Sequence, residues 1–204
     1  MKYLKLFENF EDIHEICKEY GITDYTINDD GSIDVDGDVI LSKNRLTKLP
    51  LKFNNVSGDF DCSHNGLTTL EGSPKSVGGH FWCYHNKLTT LEGGPQSVGG
   101  SFNCSWNKLT ALECSPKSVS RGFYCYVNEI TSFEFAPNYV GDFRCNDTPI
   151  WNIWVLFEDY SKVELLNDLD PIRGKDILMD RFNTFLSMVG KDEVESVEGY
   201  NCIN

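Results

Sequence analysis

Cysteine and histidine recur together in this chain, and this pairing is the first feature that could do chemistry. The tripeptides CSH at 62–64 and CYH at 83–85 each place a thiol two residues before an imidazole, and His14 precedes Cys17 by one helical turn. A thiol beside an imidazole can bind a metal ion or act as a nucleophile.

The spacing of the cysteines favours a structural role instead. Five of them recur at intervals of 21, 21, 21 and 20 residues: Cys62, Cys83, Cys104, Cys125 and Cys145. A fixed period indicates a repeated core position, where cysteine acts as a small buried hydrophobic residue. We therefore predict free, buried thiols in a reducing compartment, and neither a metal site nor a cofactor.

The acidic segment NDDGSIDVDGD at 28–38 is the second candidate, because its carboxylates would suit calcium. It does not match the calcium-loop pattern, which needs Gly at the sixth position and Glu at the twelfth. Turns around a strand that contains Ile33 and Val35 explain the segment better. The chain also lacks the nucleophile-elbow, zinc-protease and phosphate-loop motifs. We expect no enzyme activity, and an active site in the segment after residue 150 stays as a disfavoured alternative.

Composition argues against several classes of partner. The 204-residue chain has a net charge of -13, and its 18 Lys and Arg residues are scattered singly. Such a chain would repel the phosphates of a nucleic acid. No stretch approaches the roughly 20 apolar residues of a membrane span, and the start MKYLKLFENFEDIHEICKEY does not have the pattern of a signal peptide. We expect a cytoplasmic protein with neither nucleic acid nor membrane as its partner.

The periodic cysteines belong to a repeated unit of about 21 residues. Three successive units read FDCSHNGLTTLEGSPKSVGGH, FWCYHNKLTTLEGGPQSVGGS and FNCSWNKLTALECSPKSVSRG, starting at Phe60. A related unit starts at Phe123, a degenerate one at Val39 and a truncated one at Phe143. Self-similarity at such a period is typical of stacked repeats.

Alternation within the unit predicts its inward side chains. Phe and Cys alternate with polar residues, so we expect a short strand that points both inward, and stacked units that form a parallel sheet. An asparagine follows each cysteine by three residues. We predict that these asparagines bury their amides against the backbone of adjacent units: Asn65, Asn86, Asn107 and Asn128, with Asn44 before them.

The pattern F-x-C-x-x-N-x-L-x-x-L-x-x-x-P-x-x-V resembles the leucine-rich repeat, with Phe and Cys in place of the strand leucines. It is most similar to the short-unit bacterial type. The opening MKYLKLFENF and the segment TINDDGSIDVDGDVILSKNRLTKLP also resemble repeat proteins of large tailed phages. The resemblance implies an α/β solenoid of about six rungs with a parallel concave sheet. We expect an N-terminal capping helix and entry over 1–32, the solenoid over 33–150 and a C-terminal helical cap over 151–204.

Strand alternation also predicts which side chains face outward. If the Phe and Cys of each unit point inward, the residues around them face the concave side, with two aromatic ridges about 10 Å apart. Clustered exposed Trp and Tyr indicate a binding surface. The predicted partner-binding residues are His80, Trp82, Tyr84, Asn103, Trp106, Tyr124, Tyr126 and Arg144.

These observations lead to a functional hypothesis. We expect a non-enzymatic protein-binding module, and the family resemblance implies a phage protein that inhibits a host protein, such as a defence factor, in the host cytoplasm. Aromatic rings beside Asp and Asn also suit sugars, so a carbohydrate-binding or virion-associated module is the alternative. The sequence does not define the oligomeric state.

Overall fold

The computed structural model describes residues 2–138 and 140–203, with side chains from residue 11 onward. The chain begins with helix α1 (Lys2–Glu19). Ile13 and Cys17 on this helix, and Ile22 after it, are buried in the hydrophobic core. The helix predicted for this segment is therefore present.

Short strands follow the helix throughout the repeated region. In chain order they are β1 (Tyr25–Ile27), β2 (Ile33–Val35), β3 (Val39–Ile40), β4 (Phe53–Val56), β5 (Phe60–Asp61), β6 (Ser76–Val77), β7 (Phe81–Trp82), β8 (Ser97–Val98), β9 (Phe102–Asn103), β10 (Ser118–Val119), β11 (Gly122–Tyr124) and β12 (Asp142–Arg144).

Successive units contribute these strands to two separate sheets. The first sheet has the order β1-β2-β4-β6-β8-β10 and the second has the order β12-β11-β9-β7-β5-β3. Strand β1 pairs with β2 in antiparallel orientation, and the strands from later units add in parallel. The sequence predicted a parallel sheet, which is confirmed, but it predicted one strand per unit and not two. The protein thus has an α/β fold built on parallel sheets and several helices.

The phenylalanines and cysteines form two columns inside the stack. Phe60 pairs in register with Phe81, and Phe81 with Phe102, and none of the three is exposed. Their rings stack with centroids 5.3 Å apart. The cysteine column is equally buried, and the thiols of Cys83 and Cys104 donate to backbone carbonyls of the next unit. The inward positions of Phe and Cys are therefore confirmed.

Glycine occupies the bend between the two strands in two successive units, at Gly78 and Gly99, whereas the equivalent positions of other units carry Ser57 and Ser120. A Cβ added to Gly78 would lie 2.1 Å from the carbonyl oxygen of Ser57, and one added to Gly99 would lie 2.2 Å from that of Gly78. At these two glycines a side chain would require a local shift of the backbone. This bend turns the chain from the first sheet to the second.

The predicted asparagine ladder joins neighbouring units. The Asn86 Oδ1 accepts the N–H of Leu67 at 3.0 Å, and its Nδ2 donates to the carbonyls of Cys62 and Cys83. Asn65, Asn107 and Asn128 repeat this pattern. The prediction is wrong for Asn44, whose side chain is exposed. The ladder residues each donate to a cysteine or leucine carbonyl of the unit before them, whereas Asn44 lies in the first unit and has no earlier one to bind.

The C-terminal region covers the last unit of the stack. It contains α2 (Trp151–Phe157), a 3-10 helix (Tyr160–Lys162), α3 (Val163–Leu169), α4 (Met179–Met188) and a sheet of β13 (Ile172–Arg173), β14 (Asp176–Leu178) and β15 (Asn201–Ile203). The ring of Trp154 lies 5.3 Å from that of Phe143, and the ring of Phe157 lies 5.9 Å from that of Phe133. Helices were predicted for this region, but the small sheet was not.

Candidate interaction surface

The second sheet carries its outward side chains in register. The residue after each inward Phe pairs with its equivalent in the next unit, so that Asp61 lies beside Trp82, Trp82 beside Asn103 and Asn103 beside Tyr124. Residues on either side of this column extend the surface. We call the set His80, Trp82, Tyr84, His85, Trp106, Tyr124 and Tyr126 the ring surface.

Trp82 is held in place by His80. The two rings stack with centroids 5.4 Å apart and an interplanar angle of 22°. The histidine is itself fixed, because its Nδ1 accepts the N–H of Ser101 at 3.0 Å and its own N–H donates to Asp59 Oδ1 at 2.7 Å. Trp82 remains half-buried, so a preorganised part of the indole stays open to solvent.

Tyr124 lies back along its own strand, over Gly122. A Cβ built on Gly122 would come within 2.3 Å of the Tyr124 hydroxyl oxygen. The equivalent positions in earlier units carry side chains, namely His80 and Ser101. The absence of a side chain at Gly122 thus allows Tyr124 to lie flat on the sheet while it stays half-exposed.

Large and small residues alternate in the column that follows the cysteines. Tyr84 and Tyr126 are half-buried, whereas Ser63 and Ser105 in the intervening units are fully buried. The hydroxyls of both serines lack a hydrogen-bond partner among the described residues. Serine at alternate units leaves room for the tyrosine rings, at the cost of a buried hydroxyl that is not hydrogen-bonded.

A third column of side chains starts from left-handed backbone. His64, His85 and Trp106 have φ angles of 53°, 52° and 56°. Their rings stack in sequence, with centroids 4.5 Å apart from His64 to His85 and 4.8 Å apart from His85 to Trp106. Non-glycine residues rarely adopt this conformation, and it persists where the surroundings over-determine it. Here the N–H groups of all three donate to carbonyls of the next unit.

Burial and a neighbouring imidazole affect the protonation of His85 in this column. Burial, and then the charge of the neighbouring His64, hold the pKa of His85 below its usual value. His85 is thus neutral near pH 7 and presents an uncharged ring to Trp106. The indole of Trp106 ends the ring stack and is 47% exposed.

The structure places the predicted site residues in one region of the second sheet. His80, Trp82 and Tyr84 share a unit, Asn103 lies on the next unit, and Tyr124 and Tyr126 lie on the unit after that. Asn103 does not reach out, since its Oδ1 accepts the N–H of Ser105 at 3.0 Å. Arg144 is exposed at the far end and pairs with Asp142 at 2.9 Å.

The binding residues predicted from the sequence do not include His64 or His85. The signal that identifies them is their position immediately before each ladder asparagine, where every unit has left-handed backbone.

The cysteines and histidines considered at the start do not form a reactive centre. Burial raises the pKa of Cys62, Cys83, Cys104 and Cys125 well above the usual thiol value and that of Cys145 to about 12. Cys17 is fully buried, and His14 bonds to the hydroxyl of Tyr25. Among residues 11–138 and 140–203, no group of three or more His, Cys, Asp or Glu side chains is arranged to hold a metal ion.

Comparisons with protein-family models, curated proteins and solved structures gave no match. Among the helices that the structure describes, none is long and apolar enough to cross a membrane.

Proposed function

We propose that the chain is a non-enzymatic protein-binding module that contacts its partner through the ring surface. The observation that carries this proposal is the set of aromatic rings that are fixed by stacking and hydrogen bonds and yet remain accessible. Trp and Tyr are the residues that most often dominate protein interfaces. Rings that are already ordered lose little conformational entropy on binding.

The dimensions of the surface favour a protein over a small ligand. Units are about 4.8 Å apart along the sheet, so the span from Trp82 to Tyr124 covers about 10 Å and further rings widen it. The surface is an open sheet face, whereas small-molecule sites are usually enclosed. A protein segment would contact several units at once.

The repeat pattern supports a proposal about the kind of protein. We infer a short-unit leucine-rich-repeat solenoid with a phage origin, and a host protein, such as a defence factor, as its target. The 21-residue register between units and the ladder of asparagines are the features that support a solenoid of this type. The inference about origin rests on the resemblance of the opening segments alone.

A capture experiment with matched variants tests the proposal. Tagged wild-type protein, Trp82→Ala and Trp106→Ala would be incubated with bacterial lysate, and the captured proteins identified by mass spectrometry. Phe135→Ala is the matched control, because Phe135 is also an exposed aromatic residue on left-handed backbone, with φ 61°, but lies outside the ring surface. We expect a specific partner that the control retains and that each ring variant binds more weakly by about 2 kcal/mol.

Two results would contradict this proposal. Capture that is equal for all four proteins would place any binding site elsewhere, with the C-terminal helices as the next candidate. Release of the captured protein by free sugars would instead favour carbohydrate recognition.

A further inference from the structure

We propose that the ring surface binds an arginine side chain of its partner protein between the carboxylate of Asp61 and the indole of Trp82. This inference rests on the proposed function and specifies the chemistry of the partner. It is carried by the acidic residues that lie in register with the first aromatic rings of the surface.

Three carboxylates occupy the units before Trp82. Asp38 and Asp59 lie in the column before the inward phenylalanines, and Asp61 lies in the column after them. Each is fixed through one oxygen: Asp38 Oδ1 accepts the N–H of Asp59, Asp59 Oδ1 accepts that of His80, and Asp61 Oδ1 accepts that of Ser63. The second oxygen of each carboxylate remains for a ligand.

The carboxylates are not neutralised by the chain itself. Within the part of the chain that the structure describes, Lys52 pairs with Asp30 and Arg144 pairs with Asp142, and none of the ion pairs includes Asp38, Asp59 or Asp61. The whole chain has a net charge of -13. Charge complementarity therefore favours a cationic partner at this end of the surface.

Asp61 and Trp82 are direct register partners on adjacent strands. The backbones of such strands lie about 4.8 Å apart. A planar guanidinium can donate hydrogen bonds to a carboxylate while its face lies on an aromatic ring. An ammonium group is compact and strongly hydrated and fits such a combined site less well. The arrangement therefore favours arginine over lysine.

Another unit of the chain already carries asparagine at the position equivalent to Asp61. Asn103 occupies the position equivalent to Asp61 two units later, and its Oδ1 accepts the N–H of Ser105 just as Asp61 Oδ1 accepts that of Ser63. Asp61→Asn should therefore fold normally, while it removes the charge and replaces the free carboxylate oxygen by an amide NH2 group. Asp147→Asn is the matched control, because Asp147 is exposed in the last unit and asparagine tolerates its left-handed backbone.

The probe is a capped glycine peptide with two arginines, compared with the same peptide in which citrulline replaces arginine. Binding is followed by NMR at the indole N–H of Trp82, assigned with Trp82→Phe. We expect the arginine peptide to shift this resonance, with affinity at least about ten-fold above that of the citrulline peptide. We expect Asp61→Asn to weaken the affinity for the arginine peptide about five-fold or more, and Asp147→Asn to change that affinity less than about two-fold. Added salt should also weaken the affinity of the wild-type protein for this peptide.

Equal shifts with arginine and citrulline peptides, or no shift with either, would overturn the inference. Its failure can be told apart from failure of the proposed function. A captured protein whose binding requires Trp106 but is unaffected by Asp61→Asn and by salt would leave the proposed function standing and this inference wrong. A captured protein whose binding is unaffected by substitution of Trp106 and of Asp61 would contradict both the proposed function and this inference.

Discussion

Substitution of Asn107 by alanine is expected to destabilise the protein far more than the size of the change suggests. The Oδ1 of Asn107 accepts the N–H of Leu88 at 3.0 Å, and its Nδ2 donates to the carbonyls of Cys83 and Cys104 at 3.1 and 3.0 Å. All three partners belong to residues without solvent exposure. Asn107→Ala removes these hydrogen bonds at once.

Two of the three partners of Asn107 keep another hydrogen bond after the substitution, and the third does not. The Cys83 carbonyl keeps the Nδ2 of Asn86 at 3.1 Å, and the Cys104 carbonyl keeps that of Asn128 at 3.1 Å. The N–H of Leu88 has no such second partner and is left unpaired inside the stack. One buried unpaired donor costs about 1–3 kcal/mol, so we expect Asn107→Ala to lower the free energy of unfolding by about 2–3 kcal/mol.

Denaturant unfolding followed by circular dichroism measures this change. Lys108→Ala is the control, because the Lys108 side chain is exposed and its backbone N–H keeps its bond to the Leu88 carbonyl. We expect the control to lie within about 0.5 kcal/mol of the wild type. Asn107→Asp should be worse than Asn107→Ala, because its second oxygen would face two carbonyls. Equal stability of Asn107→Ala and Lys108→Ala would refute the account of the ladder.

Three further predictions concern the same stack. Ser105→Ala should stabilise the protein by about 1 kcal/mol in denaturant unfolding, because it removes a buried hydroxyl that lacks a partner, and a loss of stability would show that the hydroxyl is hydrogen-bonded. Thiol labelling of the folded protein should modify the exposed Cys114 rapidly and Cys104 only after unfolding; rapid modification of Cys104 would contradict the buried column. The pKa of His85 is lowered in the fold, so the stability that its neutral form contributes is present above the usual imidazole pKa and is lost as pH falls. Unfolding of wild type and His85→Asn at neutral and mildly acidic pH should therefore show a smaller acid loss in the variant, and equal losses would argue against this linkage.

The interior of the stack could be predicted from the sequence because its period is visible in single residues. Phe81 and Cys83 recur with their equivalents at almost constant spacing, and Asn86 follows them at a fixed distance. Each identity implies a physical role: large and apolar, small and apolar, or able to donate and accept. These roles are independent of the path that the rest of the unit takes.

The strand that each unit contributes to the first sheet could not be predicted in the same way. Ser76 and Val77 form a strand only because their backbone groups meet those of the unit before, 21 residues earlier. A two-residue strand shows no alternation of its own. Left-handed backbone at His64 and His85 was also missed, since those positions carry no glycine and are fixed by hydrogen bonds to the next unit.

The constant register of the second sheet means that the number of units can change without a change in how units join. Loss of residues 81–101 would bring Phe60 beside Phe102, and the bond between Asp59 and the backbone N–H of His80 would be kept, because His80 would then directly precede Phe102. Such a deletion would remove Trp82 and His85 together and leave the ends of the chain as they are. Gain or loss of whole units thus offers an evolutionary route to new surfaces on an old core, in which recognition diverges faster than the fold.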